Sequence, residues 1–431
     1  MNAADIETDN CKLKGSLRIA LCLPKLGGGA DFLQQMQIAN GLQGRGHTLT
    51  FLAPRDLSEI ECTKDLQIPT LAPRTWSKTV WFTIIAKTTW RIQQWLGVPY
   101  LNVFSNYCLY DACLQCLPGN DIVQERNGLY KMGVAMACRR LKLPYILFFD
   151  ADDIFERDFL GDPITGILRW RAAQIIRYSL NAADGIICVS RTTKRRLIDT
   201  WKIPQEKIAV FPNAVDVERF RPYPEKRNET RASRGLGDEP VILYVGNFFQ
   251  WHDVATLLDG FKLVLEAHSN ARLFLVGDGN QRKAMEVYTD KLGIAKAVQF
   301  TGRLPQAEIP YLVSMADVAV APYPKMKQAW WGSSLKLFEY LSSGTALVAS
   351  DIGEQVGDVI QDGKNGLLVS PENPIALAAA LKKLIEDPSL RFKLGQQARN
   401  DAVNMYSWEK YILRLEQIYQ AVSKRQPIHL I

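Results

Sequence analysis

The chain has 431 residues, of which 47% are hydrophobic and 23% charged, and a formal net charge of +7. That length allows two domains of ordinary size, each with its own core, and the balance is that of a globular protein rather than a disordered or fibrous one. The mild basic excess suits an anionic small molecule or a membrane surface, is too diffuse to indicate nucleic acid, and no apolar run is long enough to span a bilayer.

Met1–Asn10 is polar and acidic, without a secretory pattern, so a cytoplasmic protein is expected, with peripheral contact to the inner face of the plasma membrane as an option. All eight cysteines fall in the first half, several inside predicted strands, which reads as buried free thiols. Cys113 and Cys116 form one C-x2-C without a second pair, so no metal is expected. Strand-like runs at Leu17–Leu23, Thr48–Leu52, Ile122–Gln124, Tyr145–Phe149, Gly185–Val189 and Ile208–Phe211 alternate with helical patterns and define an N-terminal unit, 1–220. Residues 221–240 carry Pro, Gly, Arg and Glu with little apolar content and read as a linker. A second unit, 241–405, contains strands at Val241–Val245, Arg272–Val276, Val298–Thr301, Val318–Ala321, Leu347–Ala349 and Leu367–Val369. Residues 406–431 hold a helix with Trp408, Tyr411, Leu415 and Ile418 on one stripe.

The expected fold class is therefore α/β: two doubly wound, Rossmann-like domains, with ligands beyond the carboxyl ends of the strands and a cleft between the domains as the natural site.

In the first unit, Gly27-Gly28-Gly29 follows the first strand, and backbone N–H groups there can approach an anion without Cβ interference. The six-residue dinucleotide pattern is absent, which disfavours a dehydrogenase. Trp81, Ile84, Ile85, Thr88, Ile92, Trp95 and Leu96 form one helical stripe, with Lys87 and Arg91 at its border or behind it. The stripe fits either a helix in a membrane interface or one packed on its own sheet. Glu125-Arg126 ends a strand, where Glu125 either orients an acceptor hydroxyl or pairs with a neighbour such as Arg126. Asp150-Ala151-Asp152-Asp153 follows another strand; its D-x-D spacing suits a metal-held diphosphate, acceptor hydroxyls, or a helix cap.

In the second unit, Ser333-Ser334-Leu335-Lys336 opens a helix. If either serine caps it, the first-turn amides form an anion site. Lys336 and Glu339 are three apart and share a face, offering a cation beside a phosphate and a carboxylate able to accept two hydroxyl protons. A nucleotide needs those three things.

That segment resembles the C-terminal donor motif of family 4 glycosyltransferases, and other landmarks follow in the family's order: Gly27–Gly29 with Gly44–Thr50, Val189–Lys194, Pro212–Asp216, Val245-Gly246, and Val276–Gly279. The resemblance implies the GT-B fold, a last helix that crosses back to the first domain, and domain closure bringing the glycine loop onto the donor. It implies donor contacts at Gly28, Gly29, Asn247, His252, Arg303, Ser333, Ser334, Leu335, Lys336 and Glu339, the last on the ribose. The family's first Glu of E-x7-E is replaced by Trp331, its usual Arg by Asn247 and its usual Lys by His252; Lys336 stands in for the lost cations. Trp330 and Trp331 either wall the sugar or close the core.

The reading implied is a hexosyltransferase that moves a sugar from a UDP-, GDP- or ADP-sugar to a glycan, lipid-linked or small-molecule hydroxyl with retention of configuration. It needs no metal or other cofactor. Lys336, Asp150 and Glu125 are its candidate catalytic groups, with Asp152, Asp153 and Arg126 on the acceptor side. Polysaccharide biosynthesis and membrane contact through residues 76–96 fit that reading. Two alternatives stay open: a degenerate nucleotide-sugar binder, suggested by Asn247, His252 and Trp331, and a nucleotide-sugar epimerase.

Overall fold

The computed structural model describes residues 15–23, 30–55, 59–64, 70–97, 103–325 and 333–428. It divides into two compact units. One comprises Met1–Cys188, Leu197–Ala209 and Ile412–Ile431; the other comprises Val189–Arg196 and Val210–Tyr411.

The first unit is built on an eight-stranded sheet: β1 (Arg18–Cys22), β2 (Thr48–Pro54), β3 (Ile60–Lys64), β4 (Thr70–Leu71), β5 (Ile122–Arg126), β6 (Tyr145–Phe149), β7 (Gly185–Cys188) and β8 (Ile208–Val210). Its order is β4-β3-β2-β1-β5-β6-β7-β8. Strands β2-β1-β5-β6-β7 pair in parallel, and β5, β6 and β7 are buried at every position. Covered on both faces, such strands read as continuous apolar runs, which is why they were visible in the sequence. The antiparallel pairs β2–β3 and β3–β4 were not foreseen. Strand order reverses between β1 and β5, so a ligand of this sheet would meet the residues just after those two strands.

The helix Trp408–Ser423 begins in the second unit, and from Ile412 onward it is counted with the first. Ile412 sits against Gly41, where an added Cβ would lie 2.6 Å from its Cγ1. Glu416, 2% exposed, accepts from Arg45 Nε at 2.6 Å and lies 2.8 Å from His47 Nε2. The Leu17 N–H donates to His47 Nδ1, so Nε2 carries the proton that Glu416 receives.

The second unit has six parallel strands: β9 (Val241–Val245), β10 (Arg272–Val276), β11 (Val298–Gly302), β12 (Val318–Ala321), β13 (Ala346–Ser350) and β14 (Leu367–Val369). Their order, β11-β10-β9-β12-β13-β14, reverses between β9 and β12. Two glycines let the turns beyond β9 and β10 touch. A Cβ on Gly277, which sits at φ +132°, would be 1.9 Å from the Gly246 carbonyl oxygen, and one on Gly279 would be 2.4 Å from that of Phe248. This explains why Val-Gly and Gly-Asp-Gly occur together.

The expected linker 221–240 is corrected: it contains the helix Pro224–Ala232. Polar ties rather than an apolar stripe hold it. Arg227 donates to Asp317 Oδ1 at 2.8 Å, and buried Arg231 donates to the carbonyls of Gly237, Glu239 and Met315.

Candidate functional site

The helix Leu335–Ser342 follows Tyr323 and the end of β12, and starts where the sheet order reverses. Ser334 occupies its N-cap position with extended backbone (φ −82°, ψ 112°), yet no side chain caps the first turn. The expected serine cap is corrected: Ser334 Oγ is 2.7 Å from the Tyr323 hydroxyl, and Ser333 Oγ accepts from the Asn213 N–H at 3.1 Å. Asn213 also donates to the Ser333 carbonyl at 2.7 Å, fixing the approach to the helix. The first-turn amides are thereby positioned without being consumed, which is what an anion requires. Tyr340 anchors the far side by accepting from the Val245 N–H at 2.8 Å, at the end of β9.

Lys336 points from that helix toward the end of β9. Its Nζ lies 3.3 Å from the Tyr244 hydroxyl, 4.3 Å from the Tyr244 ring centroid and 3.4 Å from His252 Nδ1. A Cβ on Gly246 would come within 2.5 Å of Nζ, so glycine keeps this space open. Burial pulls the Lys336 ammonium down to about 7, opposed by Glu339. Burial and then Lys336 itself push His252 down to about 2. His252 is therefore a neutral imidazole whose Nδ1 accepts from Lys336, leaving the proton on Nε2 as a donor. The structure brings Lys336 and His252 into one cluster, with Tyr244 and Tyr323 as its aromatic walls.

Glu339 lies one turn along, half-buried, and its carboxylate makes no hydrogen bond or ion pair among the described residues. Burial raises it to about 7, while Arg219 first and Lys336 second oppose the rise. Asn247 is exposed just after β9, and its carbonyl accepts from the Tyr244 hydroxyl at 2.7 Å. Arg303 is exposed after β11, two strands from β9, about 10 Å across the sheet. Gly28, Gly29, Trp330 and Trp331 lie outside the described residues. Tyr244, Tyr323, Asn213 and Arg219 were missed as site residues. Hydroxyl-bearing aromatics at the ends of the two strands flanking the reversal were the available signal.

In the first unit, Arg126 and Asp150 form an ion pair beyond β5 and β6, beside the β1–β5 reversal. Asn127 ties the two loops together, donating to the Ala151 carbonyl at 2.9 Å and accepting from the Asp150 N–H at 3.0 Å. Glu125 as a catalytic group is corrected here, and of the readings left open for Asp152 the structure shows the helix cap. Glu125 is 4% exposed and accepts from the buried Tyr145 hydroxyl, too deep to orient a substrate hydroxyl; burial raises it to about 7. Asp152, 2% exposed, caps the helix Asp153–Leu160 by accepting from the N–H groups of Ile154 and Phe155, and takes the Trp201 indole N–H at 2.8 Å. Asp152→Ala should then lower stability by about 2 kcal/mol, read as a drop in melting temperature. Asp153 lines a cavity of about 10 Å3 with Glu125 and Lys131, room for about one water. Burial, then the neighbouring carboxylates of Glu156, Asp152 and Asp150, raises it to about 7.

The helix Val80–Trp95 has no buried residue. Its apolar stripe faces outward: Trp81 is 76% exposed and Trp95 84%. The packing of this stripe on its own sheet is thereby ruled out. Among the described residues, no helix is long and apolar enough to cross a membrane.

The sequence profile described as Glycosyl transferases group 1 matches residues 226–401, and that described as Glycosyltransferase Family 4 matches residues 35–219. The GDP-mannose-dependent alpha-(1-6)-phosphatidylinositol monomannoside mannosyltransferase of Mycolicibacterium smegmatis is 27% identical over 256 residues, covering 58% of this chain and 66% of that protein. The D-inositol 3-phosphate glycosyltransferase of Corynebacterium urealyticum is 30% identical over 226 residues, 50% of this chain and 51% of that one. The chain spans 59%, 66% and 61% of the lengths of three such curated relatives. Among solved structures, Anabaena HepE in complex with UDP superimposes with a TM-score of 0.67 at 16% identity, covering 94% of this chain and 100% of that one. A Rickettsia africae glycosyltransferase gives 0.66 at 18%, covering 95% and 99%. With one profile on each half of the sequence and structural likeness along nearly all of it, the chain belongs to the family 4, group 1 glycosyltransferases and has their GT-B fold.

Proposed function

We propose that this protein transfers a sugar from a nucleoside diphosphate sugar to a hydroxyl acceptor with retention of configuration. The observation that carries this reading is the Lys336 ammonium beside an uncapped helix start, with the Glu339 carboxylate one turn on, where the second sheet reverses its order. The first-turn amides, Lys336 and the Nε2 proton of neutral His252 would hold the diphosphate as it gains negative charge. Preorganised donors of this kind are worth about 3 kcal/mol each. Because Lys336 supplies the countercharge, the reaction is read as metal-independent. Glu339 would accept from the ribose hydroxyls.

The UDP bound by the structurally similar HepE supports a nucleotide donor, and the GDP-mannose named for the mannosyltransferase relative keeps a second base in play. On the acceptor side, the Arg126–Asp150 pair lies at the reversal of the first sheet, and Asp150 is an acidic group there that keeps access to solvent. The lipid named as that relative's acceptor supports a lipid-linked or glycan hydroxyl.

The outward apolar stripe of the Val80–Trp95 helix supports peripheral contact with a bilayer. Between Arg74 and Gly97 the chain has four basic residues and no acidic one, the composition of a helix lying on an anionic surface.

Purified protein is expected to be stabilised by one of UDP, GDP or ADP in a thermal-shift screen, and to release that nucleotide from its sugar adduct faster when an acceptor is present. Stabilisation by none of the three would overturn the reading. Release of nucleotide with an epimerised free sugar, and no acceptor dependence, would replace it with the epimerase.

A further inference from the structure

Behind the outward stripe of the Val80–Trp95 helix lies a cavity of about 380 Å3, within the size range of small-molecule sites. Its walls are of two kinds. Phe82, Ala86, Trp90 and Phe104 give an apolar side, and the Phe82 and Phe104 rings meet edge-on with centroids 5.6 Å apart. Arg74 and Lys87 give a cationic side. Arg74 lies beside the Cys108 thiol, and neither cation pairs with a carboxylate among the described residues. The acidic member of the lining, Glu59, faces Arg55 at 3.9 Å. One helix thus presents tryptophans and isoleucines outward while its inner face closes a chamber that is apolar at one side and basic at the other.

We propose that this cavity binds an anionic phosphate-bearing amphiphile drawn from a bilayer, with the phosphate on Arg74 and Lys87 and the adjoining hydrocarbon against Phe82, Trp90 and Phe104. The occupant follows from the combination. Three aromatic side chains offer more apolar surface than a phosphate needs, and a neutral lipid would leave the half-buried Arg74 and the exposed Lys87 without an anion. The apolar stripe on the outer face of the same helix would bring the cavity to the bilayer from which such a molecule comes. As a binding site this stands apart from the transferase reading; only its identification with the sugar acceptor rests on that reading.

The test is calorimetric titration of the intact chain with dodecyl phosphate below its micellar concentration, alongside dodecyl maltoside and inorganic phosphate. Dodecyl phosphate is expected to bind, and the other two at least tenfold more weakly. Ala86→Phe, which fills the chamber, and Arg74→Gln, which removes its charge, are each expected to weaken dodecyl phosphate binding at least tenfold. Binding of whichever of UDP, GDP or ADP stabilises the wild type, measured on the same samples, should be unchanged, and melting curves certify the fold, which separates a failure here from a failure of the donor site. Trp81→Asp on the outer face should reduce sedimentation with vesicles containing phosphatidic acid while leaving dodecyl phosphate binding intact. The proposal is overturned if dodecyl phosphate binds no better than the maltoside, if inorganic phosphate matches it, or if Ala86→Phe binds it as well as wild type.

Discussion

Lys336→Met should lower kcat roughly 100- to 1,000-fold and weaken binding of the donor nucleotide roughly 10- to 100-fold, the losses expected when one preorganised cationic donor leaves a diphosphate site. The same variant should unfold at a higher temperature than wild type when empty. The sign follows from its titration. Burial holds Lys336 at about 7 in the fold against 10.5 when free. The buried charge therefore costs stability in full below about 7, and the cost fades as pH rises toward 10.5. A methionine of similar length removes it. Donor binding has the opposite dependence, because a diphosphate restores the ammonium and so takes up a proton. Wild-type donor affinity should fall as pH rises above about 7, and the Lys336→Met variant should lose that alkaline limb. Calorimetry of donor nucleotide binding across pH, with melting curves on the same samples, measures both effects.

Glu339→Gln should raise the donor dissociation constant roughly 10- to 100-fold, the scale of about 1.5–3 kcal/mol for hydrogen bonds to a charged acceptor. At saturating donor, kcat should change far less, since the ribose contact is made equally in ground and transition states. Burial raises the Glu339 carboxyl to about 7, so it is increasingly protonated below that pH. Ribose binding wants the carboxylate, and wild-type affinity should therefore also fall as pH drops below about 7. Together the two groups give a maximum near neutrality. Glu339→Gln should erase the acid limb and spare the alkaline one. A variant with both limbs intact would remove Glu339 from the ribose.

The parts of the fold that were legible in the sequence are those in which burial on two faces leaves an uninterrupted apolar run, as in Tyr145–Phe149 and Val241–Val245. The β3 and β4 strands were missed because Ile60–Lys64 is short, half polar and pairs toward a two-residue edge. The helix Pro224–Ala232 was missed for a different reason: arginine–carbonyl bonds fix it, and hydrophobic periodicity carries no trace of them. At the site, the helix bearing Lys336 and Glu339 could be placed because spacing alone puts the two on one face. That Lys336 would meet His252 across 84 positions depends on β9 and β12 being neighbours, which no local pattern encodes. The aspartates were ambiguous in the sequence. Asp150 and Asp152 have the spacing of a metal motif, yet one pairs with Arg126 and the other caps a helix.

A crystal structure of the protein with its nucleotide sugar bound is the most direct measurement. The diphosphate is expected within hydrogen-bonding distance of the Leu335 and Lys336 amides and of Lys336 Nζ, with the ribose hydroxyls on the Glu339 carboxylate. A nucleotide bound away from the start of the Leu335–Ser342 helix, or one whose ribose ignores Glu339, would contradict it.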